Sequence, residues 1–340
     1  MKIGMLLPTN YAIGNPFNGV REQAKSQAKA LELLGHDVVR MSAWSRYDIE
    51  SFDVVQFYFG GHWMNSIEKL HLPENVAVVY SPIIDTLQSN KAIRIATLLG
   101  NIHPKFISLQ EQYRRQCERS DMVVARSSFE KDKLVNGLGV DVAKVQIVLN
   151  GCDVEEVGDF SLCRNKWNLP ENFVLHISRY TNKSKNVLNM IRGVGRLDMP
   201  LVIAGTSDQS PYHSAIKKEA EKYRNIIFLG PVSNLMRNSL YAACRVFCLP
   251  SLREGTGLVA LEAGVNGAAV VITKNGGPPD YFDGYAYYPK NSTPESIGDA
   301  VSRAWQNGRT LELKNHIQNN LSWENSAKSL EDIYLRCLKR

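Results

Sequence analysis

A chain of 340 residues with 44% apolar and 22% charged side chains exceeds one ordinary domain and suits two of about 150 to 170 residues, and its composition excludes disordered, collagenous and disulfide-scaffold proteins. No apolar run approaches the roughly 18 residues of a membrane-crossing helix, and the opening MKIGMLLPTN is a short strand broken by Pro8 with no leader-like stretch behind it, so a cytoplasmic protein is expected. The net charge of +6 is uneven, with 18 Lys/Arg against 19 Asp/Glu in residues 1–165 but 22 against 15 in residues 166–340; the second half is the one suited to phosphate, and basic residues scattered without a recognition motif argue against nucleic acid.

Short apolar runs alternate with helical patterns along the whole chain, which is the signature of βα units around parallel sheets. The first half has predicted strands at 2–7, 37–41, 54–59, 76–80, 122–125 and 145–149. Between the first two lies REQAKSQAKALELLGHDV (21–38), where Ala24, Ala28, Leu31 and Leu34 recur at helical spacing until Gly35 ends the helix. After a charged, Gly- and Pro-containing stretch at 155–172, predicted to be the interdomain linker, the same grammar restarts. Strands are expected at 173–177, 201–204, 226–229, 246–249 and 269–272, with helices at 187–194 and 258–265. Each half thus predicts an open doubly wound sheet, which binds ligands at the carboxyl ends of its strands.

The six cysteines, Cys117, Cys152, Cys163, Cys244, Cys248 and Cys337, form no CxxC pair and have no histidine at zinc spacing, so buried free thiols are expected. The Asn-x-Ser/Thr sequons at Asn182, Asn291 and Asn320 are read as chance matches.

The most informative segment is PSLREGTGLVALEAGVNGAAVVITKNGGPPD (250–280). Glu254 falls at a strand-to-helix turn, Gly255 and Gly257 leave the backbone open to close approach, and Leu258, Leu261 and Val265 begin a helix with a buried face. A helix N-terminus with glycine-freed amides suits an anion. Glu262, eight residues after Glu254, is a little over two helical turns further on, and two carboxylates beside an anion site suit a ligand bearing hydroxyls as well as phosphates. The plainer alternative is a helix cap with a surface Glu262.

EGTGLVALE (254–262) resembles the Glu-x7-Glu motif of glycosyltransferase family 4, and the resemblance extends over most of the chain. ISRYTNKSKN (177–186) is similar to the family's strand-end arginine followed by a lysine, here Arg179 and Lys185; IIFLGPV (226–232) resembles the stretch whose backbone, ending at Val232, meets the nucleotide base. GNPFNGVREQ (14–23) is similar to the glycine loop after the first strand, VLNGCD (148–153) to the Asn-Gly-x-Asp before the linker, and LSWENSAKSLEDIY (321–334) to the closing helix that returns to the N-terminal domain.

The resemblance implies a GT-B architecture: two Rossmann-like doubly wound parallel-sheet domains facing a cleft, with an acceptor domain at 1–165, a donor domain at 166–320 and a returning helix at 321–340. It implies a retaining transferase that moves a hexose-type sugar from a UDP- or GDP-linked donor to a saccharide, lipid-linked or small-molecule acceptor by front-face displacement. Arg179 and Lys185 would stabilise the departing diphosphate without a metal or other cofactor. Glu254, with Gly255, Thr256, Gly257 and Leu258, would hold the donor sugar, and Glu262 the ribose hydroxyls.

The chain departs from the family pattern in places. YSPIID (80–85) has no histidine after the fourth strand, leaving Asp85 as either a sugar-hydroxyl contact or a plain loop aspartate. His62, after the third strand, either faces the cleft or is structural, and the first loop has Asn18-Gly19, with Gly19 the position able to approach phosphate. KAIRIATLLGNIHPKF (91–106) reads as a surface helix or as a peripheral membrane contact that meets a lipid-linked acceptor. A sugar-nucleotide epimerase of the same architecture and a non-catalytic sugar-nucleotide sensor are the competing functions; a nicotinamide oxidoreductase is disfavoured because GNPFNGV (14–20) lacks GxGxxG.

Overall fold

In the computed structural model, the residues described are 1–8, 19–42, 44–58, 72–100, 108–153 and 158–339. They form two compact units, one of residues 1–151 with 323–340 and one of residues 152–322.

The first unit is built on a six-stranded sheet. Its strands β1 (Lys2–Leu6), β2 (Asp37–Met41), β3 (Val54–Tyr58), β4 (Ala77–Ser81), β5 (Met122–Ala125) and β6 (Val145–Ile147) run in the order β2-β1-β3-β4-β5-β6. Every pairing is parallel. The second unit holds β7 (Val174–Ile177), β8 (Leu201–Ala204), β9 (Ile226–Gly230), β10 (Val246–Leu249) and β11 (Ala269–Ile272) in the order β11-β10-β7-β8-β9, again all parallel. A parallel sheet is covered on both faces, so its strands are continuous apolar runs. Val246, Phe247, Cys248 and Leu249 are accordingly all fully buried. The helices Val187–Val194 and Leu258–Val265 have the predicted bounds.

Serine caps start several helices. Ser108 and Ser127 accept the amides of Glu111 and Glu130, the Ser-x-x-Glu spacing of a capping box. Neither glutamate returns to its cap. The fully buried Glu111 carboxylate accepts from Arg114 and Arg115, and the Glu130 carboxylate from the Arg126 backbone and guanidinium and from the Ile84 amide.

Two boundaries differ from expectation. The division falls after Gly151 instead of residue 165, and part of the expected linker at 155–172 is helical. Phe160–Trp167 is a helix of the second unit, capped by Asp159, with Cys163 fully buried. Asp159 N donates to Ser239 Oγ at 3.1 Å, and a Cβ at Gly158 would stand 2.2 Å from the Asn238 carbonyl. A helix this short, with one buried residue, leaves too weak a period to recognise.

The last helix, Trp323–Leu338, belongs to the first unit although it follows the second in sequence. Tyr334 Oη donates to Oε1 of the fully buried Gln56 on β3. Gln27 Nε2 donates to Ser326 Oγ at 3.1 Å while Gln27 Oε1 accepts from Tyr58 at 2.9 Å. Buried polar groups that satisfy one another fix a unique docking position. All six cysteines are buried, and burial pushes the Cys244 thiol up to about 12.

Candidate functional site

In the second unit the strand order reverses between β7 and β10, since β8 and β9 lie to one side of β7 and β10 and β11 to the other. Such a switch point opens a crevice at the carboxyl ends of its two central strands. Those ends carry ISRYTNKSKN (177–186) and PSLREGTG (250–257), the two segments holding Arg179, Lys185 and Glu254.

The stretch after β7 is shaped by its asparagines. Asn182 accepts the Ser184 amide at 3.0 Å and caps the 3₁₀ turn Lys183–Lys185, and Asn186 takes φ +56° to enter the helix Val187–Val194. The turn delivers Lys185 to Glu254: Nζ donates to Oε1 at 2.6 Å, with both side chains largely buried. Ser251 Oγ donates to the same oxygen at 2.6 Å. The backbone is tied as firmly, Leu252 N donating to Ser184 O at 2.7 Å, Glu254 N to Asn275 O at 3.0 Å and Gly277 N to Glu254 O at 3.0 Å. This close strand-like pairing requires Gly276, whose φ is +111° and where a Cβ would stand 2.0 Å from the Glu254 carbonyl.

Arg179 does not join that cluster. It reaches Asp208 Oδ2 at 3.3 Å with more than half its side chain exposed, an arrangement worth little in water and easily exchanged for another anion. Gly257, at φ +84°, caps the helix Leu258–Val265 and accepts the Ala260 and Leu261 amides. Thr256 is buried beside Tyr281, whereas Gly255 and Leu258 are half-buried. On the same helix Glu262 Oε2 accepts from Tyr241 Oη at 2.9 Å and lies 3.5 Å from Arg237 Nε. Val232 is half-buried just beyond β9.

His176 was not singled out from sequence, although a histidine inside the apolar run FVLHIS (173–178) is itself a signal. It is fully buried on β7, with Nδ1 2.7 Å from Cys248 O on β10 and Nε2 2.7 Å from Ser178 Oγ. A carbonyl only accepts, so Nδ1 carries the proton and Nε2 accepts the Ser178 hydroxyl. Burial lowers its pKa to about 4; the Cys248 carbonyl opposes that shift and the Lys185 charge adds to it. A neutral imidazole thus pins β7 to β10 at the switch point.

In the first unit Gly19 begins the exposed end of the helix Gly19–Leu33, while Asn18 and His62 lie outside the described residues. Asp85 Oδ1 accepts from Arg126 Nη2 at 2.8 Å, and Arg126 is itself clamped to the buried Glu130. Glu130 also takes the Ile84 amide next to Ile83, which has φ +59°. A β-branched residue in that region is strained, and the network over-determines it. Asp85 is therefore a positioned carboxylate and not a free loop side chain. Among the described residues no group of His, Cys, Asp and Glu could hold a metal, and no helix is long and apolar enough to cross a membrane.

Residues 161–322 match the family model described as glycosyl transferases group 1. An uncharacterized glycosyltransferase of Methanocaldococcus jannaschii is 25% identical over 84% of this chain and 76% of its own length. Other curated relatives, D-inositol 3-phosphate glycosyltransferases among them, are matched over 42% to 61% of their length. Sucrose-phosphate synthase from Thermosynechococcus elongatus superposes with a TM-score of 0.75 at 16% identity, covering 99% of both chains. Anabaena HepE in complex with UDP and glucose superposes with a TM-score of 0.63 at 13% identity, covering 98% of both. Residues 161–322 thus match glycosyl transferases group 1, and the chain as a whole has the GT-B fold.

Proposed function

We propose that this enzyme is a metal-independent, retaining hexosyltransferase that takes its sugar from a UDP- or GDP-linked donor held by residues 152–322. The observation that carries the reading is the Lys185–Glu254 contact, which joins a cation and a carboxylate 69 positions apart at the carboxyl ends of the two switch-point strands. The donor's diphosphate takes Lys185 and Arg179, displacing the Glu254 and Asp208 carboxylates that hold them. Glu254, released, accepts from the donor sugar's hydroxyls, with Gly255, Thr256, Gly257 and Leu258 beside it. The Glu262 carboxylate receives the ribose diol, and the backbone at Val232 meets the base. A solved complex of HepE with UDP and glucose supports a UDP donor by likeness of fold.

In the transfer step the anomeric C–O bond to phosphate breaks while the acceptor oxygen attacks from the same face. The departing phosphate oxygen takes the acceptor's proton, and the two cations stabilise the negative charge left on the diphosphate. The acceptor falls to the first unit, with Asp85 as a hydroxyl contact. A lipid-linked acceptor is supported by the helix Asn90–Leu99, which turns Ile95, Leu98 and Leu99 outward (48%, 65% and 52% exposed) beside Lys91 and Arg94, a surface suited to anionic lipid.

The test is Glu254→Gln. The variant should bind nucleotide diphosphate within about threefold of wild type, under roughly 0.7 kcal/mol, because Lys185 is left free for phosphate. Its turnover should fall on the order of a hundredfold, about 2.7 kcal/mol of barrier. Wild-type transfer should persist in excess EDTA. Full activity in the variant, or a loss in EDTA that magnesium or manganese restores, would overturn the assignment.

A further inference from the structure

A cavity of about 320 Å³ opens in the second unit between the loops that follow β10 and β11 and the segment 288–292. Its volume falls at the lower end of small-ligand sites. Ser251, Thr273, Lys274, Asn275, Tyr288 and Lys290 line it; Arg179, Lys185 and Glu262 do not.

Two features of this lining call for a ligand. Among the described residues neither Lys274 nor Lys290 has an ion pair or hydrogen bond; the Lys274 ammonium only overhangs the Tyr288 ring, 5.7 Å from its centroid. The Tyr288 hydroxyl is buried without a hydrogen-bond partner, whereas the large majority of buried side-chain polar atoms in folded proteins are paired. Asp280 and Asp283 lie close enough to Tyr288 to add to the burial that raises its pKa, so the lining is not uniformly positive. Two ammonium groups match a phosphate dianion in charge, and the hydroxyl and amide groups of Ser251, Thr273 and Asn275 match a polyol.

The same walls aim Glu254. Ser251 Oγ donates to the Glu254 carboxylate, Asn275 O accepts the Glu254 amide, and Asn275 Nδ2 donates to Leu252 O at 3.1 Å. A ligand that draws on Ser251 or Asn275 must therefore alter how Glu254 is held. We propose that this cavity is a second anion site, taking a small phosphate monoester of a polyol or sugar, and that its occupancy changes the rate of sugar transfer. Binding stands by itself; the effect on rate rests on the role proposed for Glu254.

The probes are inorganic phosphate and a hexose 6-phosphate, titrated into full-length protein by calorimetry. Hexose phosphate should bind the wild type at a dissociation constant near 1 mM, about −4 kcal/mol. The double variant K274Q/K290Q should weaken it at least tenfold, about 1.4 kcal/mol, while leaving nucleotide diphosphate binding within about twofold. The variant R179Q/K185Q should do the reverse. Absence of saturable hexose phosphate binding up to about 20 mM, or binding indifferent to K274Q/K290Q, overturns the site. Inorganic phosphate binding as tightly as the ester would remove the polyol from the assignment. Added hexose phosphate should change wild-type turnover at least about twofold and leave that of K274Q/K290Q unchanged; an unresponsive wild type overturns the coupling. Should R179Q/K185Q keep full nucleotide affinity, the donor assignment fails while the calorimetry still decides the cavity.

Discussion

His176 shows how one buried side chain ties stability to pH. Unfolded, its imidazole protonates near 6.5; folded, only at about 4. Above 6.5 both states are neutral and the residue adds no pH dependence. Below that, the unfolded chain binds a proton that the folded chain refuses, so stability falls as pH is lowered through this window. The loss reaches on the order of 3 kcal/mol once the folded value is passed. Urea unfolding followed from neutral pH down to about 4.5 should show this decline, and His176→Asn, which keeps a polar group but cannot titrate, should flatten it. An identical slope in the variant would assign the decline to other groups. From sequence the histidine was visible but not its setting, because burial and the Cys248 carbonyl come from β10, 72 positions away.

At the scale of elements, the helix Asn90–Leu99 has a buried side and an unexplained one. Ile93 and Thr97 face the interior, while Leu98 and Leu99 stand beside water with Arg94 and Lys91 on the same helix. Vesicle sedimentation should find the protein bound to anionic bilayers and not to neutral ones, with binding weakened by added salt. Leu98→Glu with Leu99→Glu should remove most of that binding, since each loses roughly 1.5 to 3 kcal/mol of apolar burial and meets like charge. Binding undiminished in this variant would rule out the helix as the contact. The amphipathic pattern was legible as a surface helix, but which of its apolar residues are exposed depended on the chain that covers Ile93 and Thr97.

Across the whole molecule, chain order and structural membership part company. The helix Trp323–Leu338 follows the second unit yet completes the core of the first. Tyr334→Phe would leave the Gln56 oxygen buried without its donor, at a cost of about 1 to 3 kcal/mol. Where calorimetry separates the unfolding of the two units, this change should lower the transition of residues 1–151 with 323–340 and leave the other in place. Lowering of the second unit's transition alone would contradict the assignment of the helix.

The sequence by itself determined both sheets and the position of the transferase motif, because those are local. Strands such as 246–249 are apolar runs that can only be buried, Gly257 and Leu258 mark a helix start by composition, and Glu254 and Glu262 keep their spacing along one continuous turn-and-helix segment. The tertiary structure decided what depends on contacts between distant segments. It joined Lys185 directly to Glu254, which Ser251 and Asn275 also hold, paired Arg179 with Asp208, clamped Asp85 through Arg126 and gave Phe160–Trp167 to the second unit. Hydrophobic periodicity records which face of an element is buried, but not which residue of another element meets it. That choice arises from strand order and loop geometry, and it is where the chemistry of this protein is assembled.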